Sequence, residues 1–156
     1  MRKSMAGFTM LELLVVMIII GLLASLVGLV QSDPSARNAR REAERLQNLI
    51  GLLREDAALN NISHGLRLEP GHYGVLTLDH NGQWQTDKRF KEHSLPDELR
   101  LNLQDPQPQG RDTRPQLLVL ANDQISPFSL LLEYRRQPLL SLSSDGIQEV
   151  QLAPVQ

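Results

Sequence analysis

Two adjoining segments near the N-terminus set the architecture of the chain: Gly7-Phe8-Thr9-Met10-Leu11-Glu12, and then Leu13–Val30, eighteen residues without a charge. At about 1.5 Å per residue, an apolar helix of this length is long enough to cross the ~30 Å hydrocarbon layer of a membrane. We therefore expect residues 8–31 to form a transmembrane helix.

Glu12 is the one formal charge inside this predicted span. A carboxylate within a membrane helix costs a few kcal/mol unless a partner neutralises it. If the chain is cut after Gly7, the new N-terminus is the amine of Phe8, four residues before Glu12 and on the same helical face. The amine and the carboxylate can then neutralise each other, within one chain or between neighbouring chains.

Two simpler explanations of this segment fit less well. A secretory signal peptide has an apolar core of about 7 to 15 residues followed by a small-residue cleavage site, whereas this core is longer and has an acid near its start. A plain signal anchor leaves the intramembrane Glu12 without a role, which is rare.

The segment resembles the type III signal of type IV pilins and of the pseudopilins of type II secretion systems. The matching positions are the basic leader residues and the cut-site residues, Arg2, Lys3, Gly7 and Phe8, together with Glu12. The resemblance implies that a prepilin peptidase removes residues 1–7 and methylates the Phe8 amine, and that Glu12 acts in fibre assembly. It also implies a single-pass inner-membrane protein with residues 32–156 in the periplasm.

Small residues recur at four-residue spacing within the predicted span, as Gly21 with Ser25 and Ala24 with Gly28. Such pairs let two membrane helices approach closely, so these four residues are candidates for helix packing. The alternative is that small residues are simply common in membrane helices.

The remaining residues predict one α+β domain. Pro34 suits the first turn of a helix, and Asn60-Asn61 and Gly65 suit its end, so we expect an amphipathic helix at about residues 34–60. Its apolar positions recur every three or four residues: Ala39, Ala43, Leu46, Leu49, Ile50, Leu53 and Ala57.

Residues 65–156 predict a β-rich region, with turns at Asn81-Gly82 and Ser144-Asp145-Gly146 and an exposed proline-rich loop at Gln104–Pro115. A turn is also expected at Gln137-Pro138. The predicted strands are Gly65–Leu68, Tyr73–Asp79, Gln83–Thr86, Leu99–Asn102, Gln116–Ala121, Ser129–Arg135, Leu139–Ser143 and Gln148–Leu152. The predicted fold is therefore pilin-like, a long N-terminal helix packed on antiparallel β-sheet.

Composition argues against several functions. There is no cysteine, and the net charge of −2 falls to about −4 without Arg2 and Lys3, which disfavours nucleic-acid binding. His64, His72 and His80 recur at intervals of eight, which fits no compact metal motif, and no nucleophile elbow accompanies the serines. We expect no metal, no cofactor and no enzymatic activity.

Three further strings resemble the H family of minor pseudopilins: the helix segment beginning at Glu42, the segment beginning at Ile125, and the Asp145-Gly146 hairpin. The resemblance implies a subunit at or near the tip of a periplasmic pseudopilus that helps to export folded proteins. The implied partners are the prepilin peptidase, minor pseudopilins I, J and K, the major pseudopilin and the inner-membrane assembly platform, with exported proteins as further candidates. The alternative is a minor type IV pilin for pilus assembly or DNA uptake.

Overall fold

The computed structural model describes residues 10–27, 34–104 and 114–155. Within residues 10–27, it describes the side chains of residues 10–22. The chain divides into two compact units, Met1–Asp33 and Pro34–Gln156. In the first unit, helix α1 spans Met10–Val27. Nearly every position of α1 is apolar, so it has no polar face of the kind that a surface helix shows to water.

Helix α2 spans Pro34–Asn60 and begins the second unit. Pro34 occupies the first helical position, where its missing N–H costs no hydrogen bond. The helix ends where Asn61 adopts a left-handed backbone with φ of 54°, as the predicted Asn cap requires. Its buried positions fall on one stripe, which the apolar spacing predicted: Ala39, Ala43, Leu46, Ile50, Leu53 and Ala57. Leu49 is only partly buried beside them.

In the described part of the chain after α2, nine strands form two antiparallel sheets. The first sheet has the order β3-β2-β1-β6, with β4 paired to β2. The second has the order β5-β7-β8-β9. The strands are β1 His64–Glu69, β2 His72–Leu78, β3 Trp84–Thr86, β4 His93–Ser94, β5 Leu99–Leu103, β6 Leu117–Val119, β7 Phe128–Tyr134, β8 Gln137–Ser144 and β9 Gln151–Pro154.

The apolar stripe of α2 packs on β6, β7, β8 and β9. Alternate residues of β7 point into this core, so Phe128, Leu130 and Leu132 are buried while Ser129 and Leu131 are not fully buried. Among the described residues, all members of the buried core belong to the second unit, from Ala39 to Val150. Pro34–Gln156 therefore has the hydrophobic core that an independently folding domain needs.

Two of the predicted turns form where expected, and Gly82 and Gly146 adopt the positive φ values of 75° and 93° that they were predicted to supply. The turn predicted at Gln137-Pro138 is wrong by two residues. Arg135 and Arg136 make the turn, with φ of 49° and 71°, and Gln137 already begins β8.

The strand predictions also need two corrections. The short β4 was missed, and the last strand begins at Gln151 instead of Gln148. The reason for the second error is the Asp145 carboxylate, which accepts hydrogen bonds from the backbone N–H groups of Ile147 and Gln148, at 2.9 Å each. These bonds extend the turn. Most of the predicted Gln104–Pro115 loop lies outside the described residues.

Candidate functional site

The predicted cleavage site, Gly7 and Phe8, lies outside the described residues, as does Gly28. Glu12 lies in the first turn of α1. Gly21, Ala24 and Ser25 follow on the same helix, and a Cβ atom added at Gly21 would meet no atom within 4 Å. The roles of these residues in processing and packing stay predictions.

The described side chains of α1 present a large apolar surface. Every large hydrophobic side chain from Met10 to Leu22 is exposed, by 43% to 93%. An exposed apolar surface of this extent indicates contact with another apolar phase or with other protein chains. Within the described residues, no helix is both long and apolar enough to cross a membrane. The predicted span, residues 8–31, extends past both ends of α1.

In the second unit, the outward face of α2 carries exposed arginines in its N-terminal half and borders a groove in its C-terminal half. Its N-terminal half exposes Arg37, Arg40 and Arg41, and Arg40 forms an ion pair of 2.8 Å with Glu44. Its C-terminal half instead borders a groove of about 850 Å³, which also includes residues of the loop between β8 and β9. We call this depression the α2 groove.

The C-terminal end of α2 is fastened to the first sheet by a cluster of charged and polar side chains. Asp56 of α2 lies 2.7 Å from Nε2 of His64, a fully buried residue of β1. Arg89 bridges two carboxylates, with Nη2 3.1 Å from Asp56 and 2.8 Å from Asp87. Thr77 of β2 donates a hydrogen bond of 2.7 Å to Asp87. The cluster therefore joins the helix, two strands and the segment after β3.

The electrostatics of this cluster are those of a structural anchor. Hydrogen bonds from Arg89 lower the pKa of Asp87 to about 2. Burial raises the pKa of Asp56, but the hydrogen bonds from His64 and Arg89 outweigh it, so the net pKa is lowered. Hydrogen bonds to both carboxylates raise the pKa of Arg89. The acids therefore stay ionised at neutral pH, and an ionised carboxylate already bound to arginine is a poor general base.

Two other histidines, His93 and His72, also form ion pairs within the domain. His93 lies 2.7 Å from Glu42 of α2, and His72 lies 3.1 Å from Glu69 and 3.3 Å from Glu92. In the part of the chain that the structure describes, no group of three His, Asp or Glu residues is arranged to hold a metal ion.

The loop acids Asp123 and Asp145 are held in separate interactions. Asp123 accepts a hydrogen bond of 3.1 Å from Nε of Arg54, and Asp145 caps its own turn. Asp105 and Asp112 lie outside the described residues. Arg135 forms an ion pair with Glu98 and stacks on Tyr134, 5.2 Å from the ring centroid, so it is already engaged within the domain.

The α2 groove is the feature that sequence reasoning missed. Two signals were available, because Gly51 interrupts a helix at some cost in stability and Leu52 is apolar yet falls outside the core stripe. Ile147, another apolar residue of the groove, follows a turn and is 83% exposed. No local pattern relates it to a helix almost a hundred residues earlier.

Comparison with known proteins supports the resemblance seen in the sequence. Residues 2–28 match the family model described as the prokaryotic N-terminal methylation motif. Type II secretion system protein H of Pseudomonas aeruginosa is 41% identical over an alignment that covers 95% of each chain. The chain belongs to the type II secretion system protein H family. The protein H of Escherichia coli is 28% identical over 90% of this chain and 89% of its own.

Solved structures confirm the pilin-like α+β fold of this protein H family member. The solution structure of Escherichia coli GspH has a TM-score of 0.67 and covers 80% of this chain and 94% of its own. The crystal structure of the minor pseudopilin EpsH of Vibrio cholerae has a TM-score of 0.65, with coverages of 77% and 96%. Both are 23% identical to this chain. The 41% identity to a type II secretion system protein H favours the pseudopilin prediction over the alternative of a type IV pilin.

Proposed function

We propose that the chain is a minor pseudopilin, a structural subunit at or near the tip of the periplasmic pseudopilus of a type II secretion system. In that position it helps to export folded proteins across the outer membrane. The observation that carries this proposal is the 41% identity to a type II secretion system protein H across 95% of both chains. Such coverage includes both the N-terminal helix and the folded domain.

The proposal divides the chain into three parts. A prepilin peptidase removes residues 1–7 and methylates the new N-terminus at Phe8. Residues 8–31 then anchor the protein in the inner membrane as a single span, and residues 32–156 form the periplasmic domain. The match of residues 2–28 to the methylation motif supports this arrangement.

Fibre assembly replaces lipid contacts of the N-terminal helix with protein contacts. The apolar side chains of α1, exposed in the isolated chain, pack against the corresponding helices of neighbouring subunits. Gly21, Ala24, Ser25 and Gly28 allow those helices to approach closely. Glu12 meets the positive N-terminal amine of a subunit, because a buried carboxylate needs a charged partner in an apolar environment.

The partners in this proposal are proteins. They are the prepilin peptidase, minor pseudopilins I, J and K, the major pseudopilin, the inner-membrane assembly platform and, as candidates, exported proteins. The role is structural and not enzymatic. The ion-paired acids of the described domain support this, since each is bound to a residue that fixes it in place.

The test measures protein and DNA binding side by side with the soluble domain that starts at Pro34. We expect it to co-purify with the soluble domains of the other minor pseudopilins. We expect weak or no binding to labelled duplex DNA near 150 mM salt, because a domain with an excess of acidic residues repels phosphates. Micromolar DNA binding that falls steeply with salt, together with no partner binding, would overturn the proposal in favour of an uptake pilin.

A further inference from the structure

The α2 groove runs along the C-terminal half of α2, from Gln47 to Ala58. At ~1.5 Å per residue this length is about 17 Å, which corresponds to three turns of another helix. The loop between β8 and β9 forms the opposite wall. A hydrogen bond of 2.7 Å from the Gln47 side chain to the Val150 carbonyl joins the two walls. The groove is therefore a fixed feature of the domain.

Ile147 lies at the end of a turn that several hydrogen bonds hold in place. The Asp145 carboxylate accepts bonds of 2.9 Å from the backbone N–H groups of Ile147 and Gln148. The Ser144 hydroxyl accepts one of 3.1 Å from the N–H group of Gly146. The Ile147 side chain is nevertheless 83% exposed. An apolar residue whose backbone is already fixed loses less conformational freedom when a partner covers it, so Ile147 is suited to a binding contact.

A second exposed apolar side chain belongs to the same groove. The second unit has three exposed large hydrophobic residues among those described, Leu52, Leu59 and Ile147. Two of them, Leu52 and Ile147, line the groove from its opposite walls. Single exposed apolar residues are ordinary on a protein surface, whereas a cluster of them indicates a contact surface.

Gly51, the neighbour of Leu52, is an independent signal. Glycine in the middle of a helix destabilises it relative to alanine. A Cβ atom at Gly51 would meet no atom within 4 Å, so packing inside this chain does not require glycine here. The distance between two packed helices depends on the side chains at their contact, and glycine allows a short one. Gly51 therefore suits the close approach of a helix from another molecule.

The charges of the groove are unbalanced. Arg54 is neutralised by Asp123, since its Nε and Nη2 atoms donate to the Asp123 carboxylate and carbonyl, at 3.1 and 3.2 Å. Glu55 and Glu149 also line the groove, and neither forms an ion pair with any described residue. The groove thus presents two unpaired negative charges beside its apolar side chains.

These two glutamates restrict what can occupy the groove. They repel the phosphates of nucleic acids and of anionic lipids. Two copies of this chain that met groove to groove would place like charges against each other. A protein segment with lysine or arginine beside its apolar side chains is attracted instead. The length and the chemistry of the groove therefore fit a basic amphipathic helix, bound by its apolar face.

We propose that the α2 groove binds an amphipathic helix from the folded domain of a different minor pseudopilin. That helix packs one or two large apolar side chains on Leu52 and Ile147, and it places lysine or arginine beside Glu55 and Glu149. The inference rests on the proposed function, because a minor subunit at or near the tip has subunits of other kinds as neighbours. The contact involves folded domains only, so it forms without the membrane anchors.

The first test measures binding between purified soluble domains. The domain that starts at Pro34 is titrated in turn with the soluble domains of minor pseudopilins I, J and K, and with a second copy of itself. We expect one of the three to bind. Its affinity should fall at least about threefold between about 0.1 M and about 1 M salt, because exposed charges at the groove are screened. Binding to a second copy alone, or affinity that rises with salt, would overturn the proposal.

Gly51→Leu separates partner binding from folding. No atom of this chain lies within 4 Å of the added Cβ, and leucine favours a helix over glycine. The variant domain should therefore be at least as stable as wild type in urea unfolding. The new side chain occupies the space of the partner helix, so the affinity should fall at least about tenfold. Asn38→Leu, at an exposed position in the other half of α2, is the control and should change the affinity less than about twofold.

Charge reversal tests the basic character of the occupant. Glu55→Arg and Glu149→Arg should each weaken binding at least about threefold, because an attractive pair becomes a repulsive one. Asp97→Arg is the matched control, since it makes the same exchange at an exposed acid that does not line the groove. It should change the affinity less than about twofold. Equal weakening by all three variants would show a general effect of net charge and would contradict the proposal.

Cross-linking identifies the bound segment. The chain has no cysteine, so Leu52→Cys can carry a single photoreactive benzophenone group. Mass spectrometry of the cross-linked complex should place the attachment in a helix of the partner with lysine or arginine within about one turn. Asn38→Cys, about 21 Å away along α2, is the control and should give little product. Attachment to a strand, or to a segment without basic residues, would show that the assigned occupant is wrong.

The outcomes separate this inference from the function on which it rests. If a minor pseudopilin domain binds wild type and Gly51→Leu equally well, the groove is not the binding surface, while the proposed function still stands. If none of the three domains binds the wild-type domain, the proposed function fails together with this inference. Loss of binding in Gly51→Leu, with the fold retained, supports both.

Discussion

Asp87→Asn tests the account of the buried cluster. Asp87 is 8% exposed and accepts hydrogen bonds from the Arg89 side chain, the Arg89 backbone N–H and the Thr77 hydroxyl. These contacts lower its pKa from 3.8 to about 2. Because one pKa unit corresponds to ~1.4 kcal/mol, the ionised carboxylate contributes about 2 kcal/mol to the free energy of unfolding at neutral pH.

The sign of the pH dependence follows from the lowered pKa. The contribution is fully present above the unfolded pKa near 3.8 and is lost as the pH falls toward the folded value of about 2. Asparagine does not ionise, so the variant lacks the contribution at every pH. The difference between wild type and variant should therefore be about 2 kcal/mol at pH 7 and pH 5, about 1 kcal/mol at pH 3 and below about 0.5 kcal/mol at pH 2.

Urea unfolding of the domain that starts at Pro34, followed by circular dichroism at each pH, measures these differences. Asp97→Asn is the matched control, because Asp97 is exposed and makes no ion pair or side-chain hydrogen bond with any described residue. It should change the free energy of unfolding by less than about 0.5 kcal/mol throughout. A difference for Asp87→Asn that stays constant with pH, or one below about 0.5 kcal/mol at pH 7, would refute the reasoning.

Three further predictions concern other parts of the chain. Gly65→Ala should destabilise the domain by about 1 to 3 kcal/mol in urea unfolding, because the new Cβ would overlap the Pro115 ring. Its control, Gly51→Ala, should stabilise the domain by up to about 1 kcal/mol, because the new Cβ meets no atom within 4 Å and alanine favours the helix. The intact mass of the protein from membranes should correspond to a chain that begins at Phe8 with one added methyl group, and a start at Met1 or cleavage beyond Val30 would contradict the processing proposal. Glu12→Leu should leave insertion and leader cleavage intact, since removing an intramembrane acid eases insertion by about 2 to 3 kcal/mol, yet it should impair secretion; normal secretion would show that Glu12 is not an assembly contact.

Features governed by local periodicity could be predicted from the sequence. The helix Pro34–Asn60 follows directly from apolar residues spaced at three and four, and its end follows from the tolerance of Asn61 for a left-handed backbone. The alternation of Phe128, Leu130 and Leu132 similarly marks β7. Each of these signals lies within one element, so no knowledge of the tertiary structure is needed to read it.

The errors arise where a distant or side-chain contact decides the local structure. The two-residue strand β4 exists because it pairs with β2, about twenty residues earlier. The start of β9 depends on the Asp145 carboxylate, which competes with strand pairing for two backbone N–H groups. The Arg135-Arg136 turn places two non-glycine residues at positive φ, which sequence preferences disfavour.

Some candidate functional residues could be predicted from local sequence, and others depend on distant contacts. Gly7, Phe8 and Glu12 form a motif that is recognisable from their spacing alone. The α2 groove could not be predicted, because Ile147 and Glu149 reach α2 only through the packing of β8 and β9 on that helix. Likewise, His64 gives no local sign that it will be fully buried against Asp56.

Secretion in the bacterium that encodes the chain is the most direct test of the central claim. Its gene should be deleted without affecting its neighbours, and the exported proteins should be quantified in the medium and in the periplasm. We predict that they accumulate, folded, in the periplasm of the deletion strain, and that a plasmid copy of the wild-type chain returns them to the medium. Unchanged secretion in the deletion strain would contradict the assignment of the chain as a pseudopilus subunit.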